Sequence, residues 1–202
     1  MTSFATLRGF IGKPAPKPEA GEHCDLCGAM VAHQHQHLID PAARKLMCTC
    51  DACAVLFSQS GETKYKRVPR RVRFLENFGM TDAQWDSLLI PIGLAFFLKS
   101  STEGRVLAMY PGAAGSAESL LPLDTWADIV QDNPVLDQME ADVEALLVNR
   151  LNRPAEYYLT PVDKCYELVG LIRSNWHGLS GGAEVWRNIG DFFTQLKETT
   201  HA

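Results

Sequence analysis

The chain has 202 residues, of which 46% are apolar and 21% charged, a composition typical of a globular protein rather than a disordered one. No run of 18 apolar residues occurs and the first 18 residues lack the apolar stretch of a secretory signal, so we expect a cytoplasmic protein without a membrane span. The net charge of −5 is the sum of +4 over residues 1–80 and −9 over residues 81–202, which indicates two modules with different partners.

Three regions follow one another along the chain. Residues 1–21 contain a proline-spaced segment, Lys13–Pro18, and predict a flexible tail or linker. Residues 22–57 hold five of the six cysteines and predict a zinc-ribbon-like module, with strands at 33–39 and 45–48 joined by a turn at 40–43. Residues 58–202 predict an α+β domain with a mixed or antiparallel sheet and C-terminal helices.

Within the third region, short strands are predicted at 64–68 and 72–75, and Thr81 with Gln84 forms a capping box that opens a helix. The apolar runs 92–98 and 106–110 predict a β-hairpin, and the Gly-, Ala- and Ser-rich residues 111–119 predict a loop. Asp124 is predicted to cap a helix over 125–130. Residues 139–148 show helical spacing, and 155–159 predict a last strand. Thr160 and Pro161 predict the start of a helix, and 185–196 carry the apolar stripe of a final helix.

Two C-x-x-C pairs are the strongest chemical signal in the sequence. Cys24 and Cys27 are separated from Cys50 and Cys53 by 22 residues. A two-residue spacer lets both thiolates of a pair face one ion, and the intervening hairpin can bring the second pair to the same ion. The four cysteines therefore predict one metal site. A closed set of four thiolates suits zinc or a rubredoxin-type iron, and we favour zinc because only the first pair is followed by glycine.

Further metal-ligand types lie beside these pairs. Cys48 stands two residues before Cys50, so in an extended strand both side chains face the same way. His33, His35 and His37 alternate along the preceding predicted strand, so these three histidines share one face of that strand. His35, His37 and Cys48 could replace one ligand of the four-cysteine site or form a second, open site. The interpretation that we favour is a solvated polar face.

Six cations fall within ten residues, Lys64, Lys66, Arg67, Arg70, Arg71 and Arg73. A ribbon with a basic stretch is found in nucleic-acid-binding proteins, but the whole chain is acidic. An acidic protein partner, or the acidic half of the chain itself, would satisfy these charges as well. We therefore favour protein contacts over nucleic acid.

No catalytic signature is visible. The sequence lacks a phosphate-binding glycine loop, a G-x-S-x-G elbow and an H-E-x-x-H helix. Cys165 and His177 are expected to be a core cysteine and a histidine at a helix end. Asp163, Glu167, Tyr157 and Tyr158 are expected to be cap, surface and packing residues. We expect no enzyme active site.

Several segments resemble an uncharacterised bacterial family encoded in nickel–iron hydrogenase operons. The matching segments cover nearly the whole chain after the tail: Cys24-Asp-Leu-Cys27, His35-Gln-His37-Leu-Ile-Asp40, Cys48-Thr-Cys50-Asp-Ala-Cys53, Ile90-Pro-Ile-Gly-Leu-Ala-Phe96, Glu118-Ser-Leu-Leu-Pro-Leu-Asp124 and Pro161-Val-Asp-Lys-Cys165-Tyr-Glu-Leu-Val169. The resemblance implies an association with hydrogenase assembly, maturation or electron transfer.

These observations together predict a non-enzymatic, zinc-binding accessory protein that contacts a protein, with a hydrogenase subunit or maturation factor as the implied partner. Two alternatives remain open. The first is a rubredoxin-like electron carrier with iron in the four-cysteine site, and the second is a nucleic-acid-binding zinc ribbon.

Overall fold

A small antiparallel sheet near the N-terminus and a larger one with helices on both faces make up the architecture. The computed structural model describes residues 21–58, 63–119, 123–151, 153–178 and 180–200. The predicted tail, apart from Gly21, lies outside these residues. Within them, no helix is both long and apolar enough to cross a membrane.

The small sheet has the strand order β2-β1-β3, all antiparallel: β1 Gln36–Asp40, β2 Lys45–Thr49 and β3 Lys66–Arg67. The turn between β1 and β2 is closed by Asp40, whose side chain accepts a hydrogen bond from the Ala43 backbone N–H at 3.1 Å. The predicted hairpin is thus confirmed. Its first strand starts later than predicted, and His33 lies in a bend before it.

A short helix, α1 (Asp51–Phe57), follows β2 directly and was not predicted. The C-x-x-C pair obscured the helical pattern, because its cysteines occupy the N-cap position and the third residue of the helix and cysteine has a low helix propensity.

The large sheet is antiparallel throughout, with the order β4-β9-β8-β5-β6-β7. Its strands are β4 Arg73–Phe74, β5 Leu94–Ser100, β6 Arg105–Gly112, β7 Gly115–Ser119, β8 Glu144–Asn149 and β9 Glu156–Pro161. The predicted α+β class with an antiparallel sheet and C-terminal helices is confirmed.

Helices cover both faces of this sheet. They are α2 Asp82–Ser87, α3 Leu123–Asp132, α4 Val162–Asn175 and α5 Gly182–Thr199, with a 3-10 helix at Pro134–Gln138. On one face, Leu94 and Phe96 pack with buried residues of α4 and α5; on the other, Phe97 packs with Trp126 of α3. Because side chains alternate along a strand, a strand covered on both faces is apolar at nearly every position.

This two-sided burial explains the main wrong prediction. Residues 139–148 form no helix: the apolar run Ala145–Val148 belongs to β8, in the middle of the sheet, with Ala145 and Leu147 on one face and Leu146 and Val148 on the other. A continuous apolar run satisfies helical spacing and strand alternation equally, so periodicity alone could not decide.

Three smaller predictions were also wrong. The predicted loop at 111–119 contains the end of β6 and the whole of β7, paired over five positions. Asp124 lies in the first turn of α3 rather than before it. Thr160 is a buried residue of β9, and the cap position of α4 is held by Pro161 without a side-chain cap. The capping box of α2 and the apolar stripe of α5 are confirmed, although Trp186 of that stripe is partly exposed.

The small sheet packs against the body of the protein. Ile39 of β1 and Val68 form a buried cluster with Val143 and with Val162 at the start of α4. Strand β3 lies within residues 58–202, the predicted second domain, but it pairs with β1 of the predicted first module. The division into modules 22–57 and 58–202 stays a prediction.

Candidate metal centre

The four cysteines of the two C-x-x-C pairs lie together. The sulfur atoms of Cys24, Cys27, Cys50 and Cys53 are all within 4.8 Å of one another, a grouping that could hold one metal ion. None of the six cysteines of the chain forms a disulfide. The structure thus brings together the residues that the spacing selected. That they bind a metal, and which metal, stays a prediction.

The first pair lies on a tight turn. The Gly28 N–H donates to the Cys24 carbonyl oxygen at 2.8 Å, and the Cys24 N–H donates to the Ala29 carbonyl oxygen at 2.8 Å. Gly28 has φ +73°, a left-handed conformation that glycine adopts without strain. This turn directs both sulfurs of the pair to the same side.

The second pair lies at the start of α1. Cys50 is the N-cap residue, with φ −72° and ψ 160°, and its sulfur accepts a hydrogen bond from the Cys53 N–H at 3.5 Å. Cys53 occupies the first turn of the helix. The positive end of the helix backbone therefore faces the sulfur cluster and favours thiolate charge there.

Asp25 connects the two pairs. Its N–H donates to the Cys48 carbonyl oxygen at 2.8 Å, and its carboxylate accepts from the Cys48 N–H at 2.7 Å. These two bonds hold the turn of the first pair against the end of β2. Cys48, which makes both bonds, lies two residues before Cys50 of the second pair. The site is consequently held by backbone contacts as well as by its sulfurs.

The pKa values within the cluster move in opposite directions. Burial disfavours the Cys24 thiolate, but hydrogen bonds from the backbone of Cys50 and of its own turn outweigh this and lower the pKa of Cys24. Burial, followed by hydrogen bonds to the neighbouring sulfurs, raises the pKa of Cys53. One thiolate is therefore favoured without a cation, while further ionisation within the cluster needs a positive charge to offset it.

Four thiolates complete a tetrahedral shell. Zinc and a single iron both accept four sulfur ligands, and neither retains an open position for water or substrate in such a shell. The donor set fits a structural or an electron-transfer role. Cys24 and Cys53 are buried, at 2% and 7% exposure, whereas Cys27 is exposed.

A second cluster lies beside the first. The ligand atoms of His35, His37 and Cys48 lie within 4.8 Å of one another. The Nδ1 of His35 is 2.9 Å from the Ala32 carbonyl oxygen, and the Nδ1 of His37 is 2.8 Å from the Asp163 carboxylate. His33 is exposed and does not belong to the cluster. The prediction that all three histidines share one strand face is wrong, because the strand begins after His35.

Asp163 is the residue of this region that the sequence did not reveal. It was expected to be a cap or surface residue of α4, but its carboxylate contacts His37, which is 126 positions away in the sequence. Nothing in the local pattern around Asp163 points to such a contact, since it depends on how the small sheet packs against α4.

The basic stretch makes its contacts within the chain. Lys66 Nζ lies 2.6 Å from the Asp142 carboxylate, and Arg71 Nε lies 2.9 Å from the carboxylate of Glu144, which is fully buried. Lys64 pairs with Asp40, Arg67 with Gln36 and Arg73 with Gln138. The chain's own acidic and amide groups thus engage five of the six cations.

Cys165 lies in the core. It is fully buried among the side chains of the large sheet and of helices α4 and α5, and burial raises the pKa of its thiol well above the usual value. A protonated, inaccessible thiol is a poor nucleophile. This agrees with the expectation of a core cysteine.

A search of the curated proteins and a search of the solved structures each found no match to the chain. A family model, described as a family of unknown function, matches residues 23–200. That range contains both metal-ligand clusters and both sheets. The protein belongs to this family of unknown function, DUF5947.

Proposed function

We propose that this protein is a non-enzymatic accessory protein in which Cys24, Cys27, Cys50 and Cys53 hold a structural zinc ion and the metal-stabilised region contacts another protein. The observation that carries the proposal is that the second C-x-x-C pair and an exposed apolar surface belong to the same short helix. A metal ion at the start of α1 would fix the position of that surface.

The apolar surface consists of consecutive residues in the second half of α1. Val55, Leu56 and Phe57 are exposed, with Leu56 at 65%. A helix of seven residues is too short to be stable by itself in water, so its position depends on its ends. Cys50 and Cys53 hold one end. Three adjacent exposed apolar side chains on a metal-anchored helix favour a protein-contact role.

The identity of the partner rests on the segment resemblance alone. Since the matching segments resemble a family encoded in nickel–iron hydrogenase operons, we name a hydrogenase subunit or maturation factor as the partner. We favour a protein over a nucleic acid because five of the six cations of the basic stretch already contact groups of the chain.

The test compares two leucines. Leu56→Glu, on α1, should weaken co-purification with the hydrogenase protein by more than about 1 kcal/mol, or roughly fivefold, as expected when an interface residue is disrupted. Leu89→Glu is the matched control, since Leu89 is 75% exposed and lies outside α1. Both changes are at exposed positions, so both variants should fold.

Two results would contradict the proposal. If Leu56→Glu and wild type bind equally, α1 is not the contact. If no hydrogenase subunit or maturation factor co-purifies with the wild-type chain from a host that makes these proteins, the named partner is wrong. Elemental analysis of the same sample checks the zinc assignment.

A rubredoxin-like iron electron carrier is the second candidate, and the exposure of Cys27 is the observation that favours it. A sulfur ligand at the surface offers an electron a short path to a partner. Ferric thiolate sites absorb visible light and zinc sites do not, so the colour of protein purified from its native host separates the two metals.

A further inference from the structure

The second cluster contains a histidine nitrogen that contacts no hydrogen-bonding group of the described residues. The His35 side chain is only 7% exposed, and its Nε2 is buried without a hydrogen-bond partner among the described residues. An unsatisfied buried nitrogen costs free energy. Its nearest companions in the cluster are a second imidazole and a thiol, which are both metal ligands.

The β1–β2 ladder explains why these three side chains meet. His37 and Cys48 are directly opposite in the antiparallel register, so their side chains project from the same face of the hairpin. His35 stands two residues before His37, and its ring centroid lies 4.6 Å from that of His37. Backbone pairing thus places the ligand atoms of His37 and Cys48, and His35 directly precedes the first paired residue, Gln36.

Both histidines also have the outer contacts that metal-binding histidines usually show. The Nδ1 of His37 lies 2.8 Å from the Asp163 carboxylate, and the Nδ1 of His35 lies 2.9 Å from the Ala32 carbonyl oxygen. A metal-ligating imidazole commonly donates its other N–H to a carboxylate or a carbonyl, which fixes the tautomer and leaves Nε2 for the ion. A His37–Asp163 contact alone would not account for the position of His35.

From this geometry we propose that His35, His37 and Cys48 bind a second divalent metal ion, of the class of Zn²⁺ and Co²⁺, separate from the four-cysteine site. Two imidazoles and one thiolate suit such borderline ions. The set supplies three ligands, so a tetrahedral ion keeps one position for water or for a donor atom from another molecule. This inference is independent of the proposed function.

The charges around the cluster fit a bound cation. A divalent ion with one thiolate and two neutral imidazoles carries a net charge of +1. Asp163 lies against His37, and a carboxylate oxygen of Glu22 lies 3.4 Å from the Nδ1 of His35. These two carboxylates would offset the remaining positive charge. An ion with three protein ligands should also leave more readily than one with four, so the second ion is the exchangeable one.

The experiment is a titration of the reduced, metal-free full chain with Co²⁺, followed by visible spectroscopy and by metal analysis after gel filtration. Wild type should bind two ions per chain, the tighter one with the intense sulfur charge-transfer absorption of four thiolates. His35→Gln should retain this first ion and lose the second. His33→Gln, a change at the exposed histidine two residues away, is the matched control and should bind two.

Asp163→Asn supplies an independent variant that keeps all three ligands. It should weaken binding of the second ion by about 10–100-fold and leave binding of the first unchanged, as loss of an outer-shell partner does.

Several outcomes would overturn the proposal. If wild type binds only one ion per chain, the proposal is wrong whatever the variants show. The proposal is also wrong if His35→Gln keeps the first-site spectrum and still binds two ions. It is wrong as well if Cys48→Ser loses the four-thiolate spectrum, because Cys48 would then belong to the first site.

Discussion

Cys50 has two structural roles that a single substitution can separate. Its sulfur belongs to the four-cysteine cluster, and the same sulfur caps α1 by accepting the Cys53 N–H. Serine is a better N-cap than cysteine but a poor zinc ligand. Cys50→Ser therefore removes the proposed metal ligand while it preserves the cap, so its effect tests the role of the proposed ion.

We expect Cys50→Ser to release α1 and the turn that bears Cys24. In isolated zinc-finger peptides the metal contributes about 10–16 kcal/mol of folding free energy, and a shell without one ligand retains less of it. Hydrogen exchange of the zinc-loaded full chain should show lost amide protection over α1, with α4 and α5 unchanged because their core contains no residue of the site. Chelated wild type should give the same pattern. Unchanged protection of α1 in both samples would show that the ion is not structural.

At the level of elements, local patterns were predicted well and long-range ones poorly. The C-x-x-C spacing, the capping box of α2 and the stripe of α5 each depend on residues a few positions apart in the sequence, and the structure has each of them. Strand β8 could not be identified because burial on both faces removes its alternation. Similarly, the histidine–aspartate contact at α4 arises only once β1 packs against that helix, which no local signal encodes.

The connection between α4 and α5 yields a prediction of its own. Gly181 has φ +83°, and a Cβ atom there would lie 2.8 Å from Val185 Cγ1 and 3.2 Å from the Trp176 ring. Gly178 is also left-handed, with φ +65°, but a Cβ atom would meet nothing within 4 Å. Alanine costs about 1–2 kcal/mol in this conformation at either site, and overpacking adds about 1–3 kcal/mol at Gly181.

Urea unfolding of Gly181→Ala and Gly178→Ala measures the difference directly. Gly181→Ala should lower the free energy of unfolding by about 1–3 kcal/mol more than the control does. Equal losses for the two variants would mean that Val185, which is fully buried, and Trp176 can move aside, and that the connection is looser than the contacts indicate.

At the scale of the whole molecule, charged contacts reinforce the packing of the small sheet on the body. Lys66 of β3 reaches Asp142, whose carboxylate also accepts from the Ser101 N–H at 2.8 Å and from the Ser101 hydroxyl at 2.5 Å. His37 of β1 contacts Asp163 of α4. Asp142 is therefore shared by both sheets, and its ionisation affects how firmly they are joined.

The pKa of Asp142 determines the sign of this effect. Burial works against its charged form, but hydrogen bonds from Lys66 and Ser101 outweigh burial and lower the pKa of this carboxyl. Because the folded-state pKa lies below the unfolded value of about 3.9, the carboxylate stabilises the fold fully above that value. This contribution is lost as the pH falls through the folded-state pKa.

Asp142→Asn should consequently lower the free energy of unfolding at pH 7 by about 1.5–3 kcal/mol, the range for a hydrogen bond to a charged group. We expect the lower end of this range because the Lys66 side chain is 39% exposed. The gap between wild type and variant should narrow as the pH falls below about 4. Both chains have the same four-cysteine cluster, so taking the difference between their free energies of unfolding at each pH cancels the effect of acid on the proposed metal site. Asp137→Asn, at an exposed carboxyl, is the control and should show neither the gap nor its pH dependence. A gap for Asp142→Asn that is constant down to pH 2 would mean that lost packing, and not lost charge, separates the two proteins.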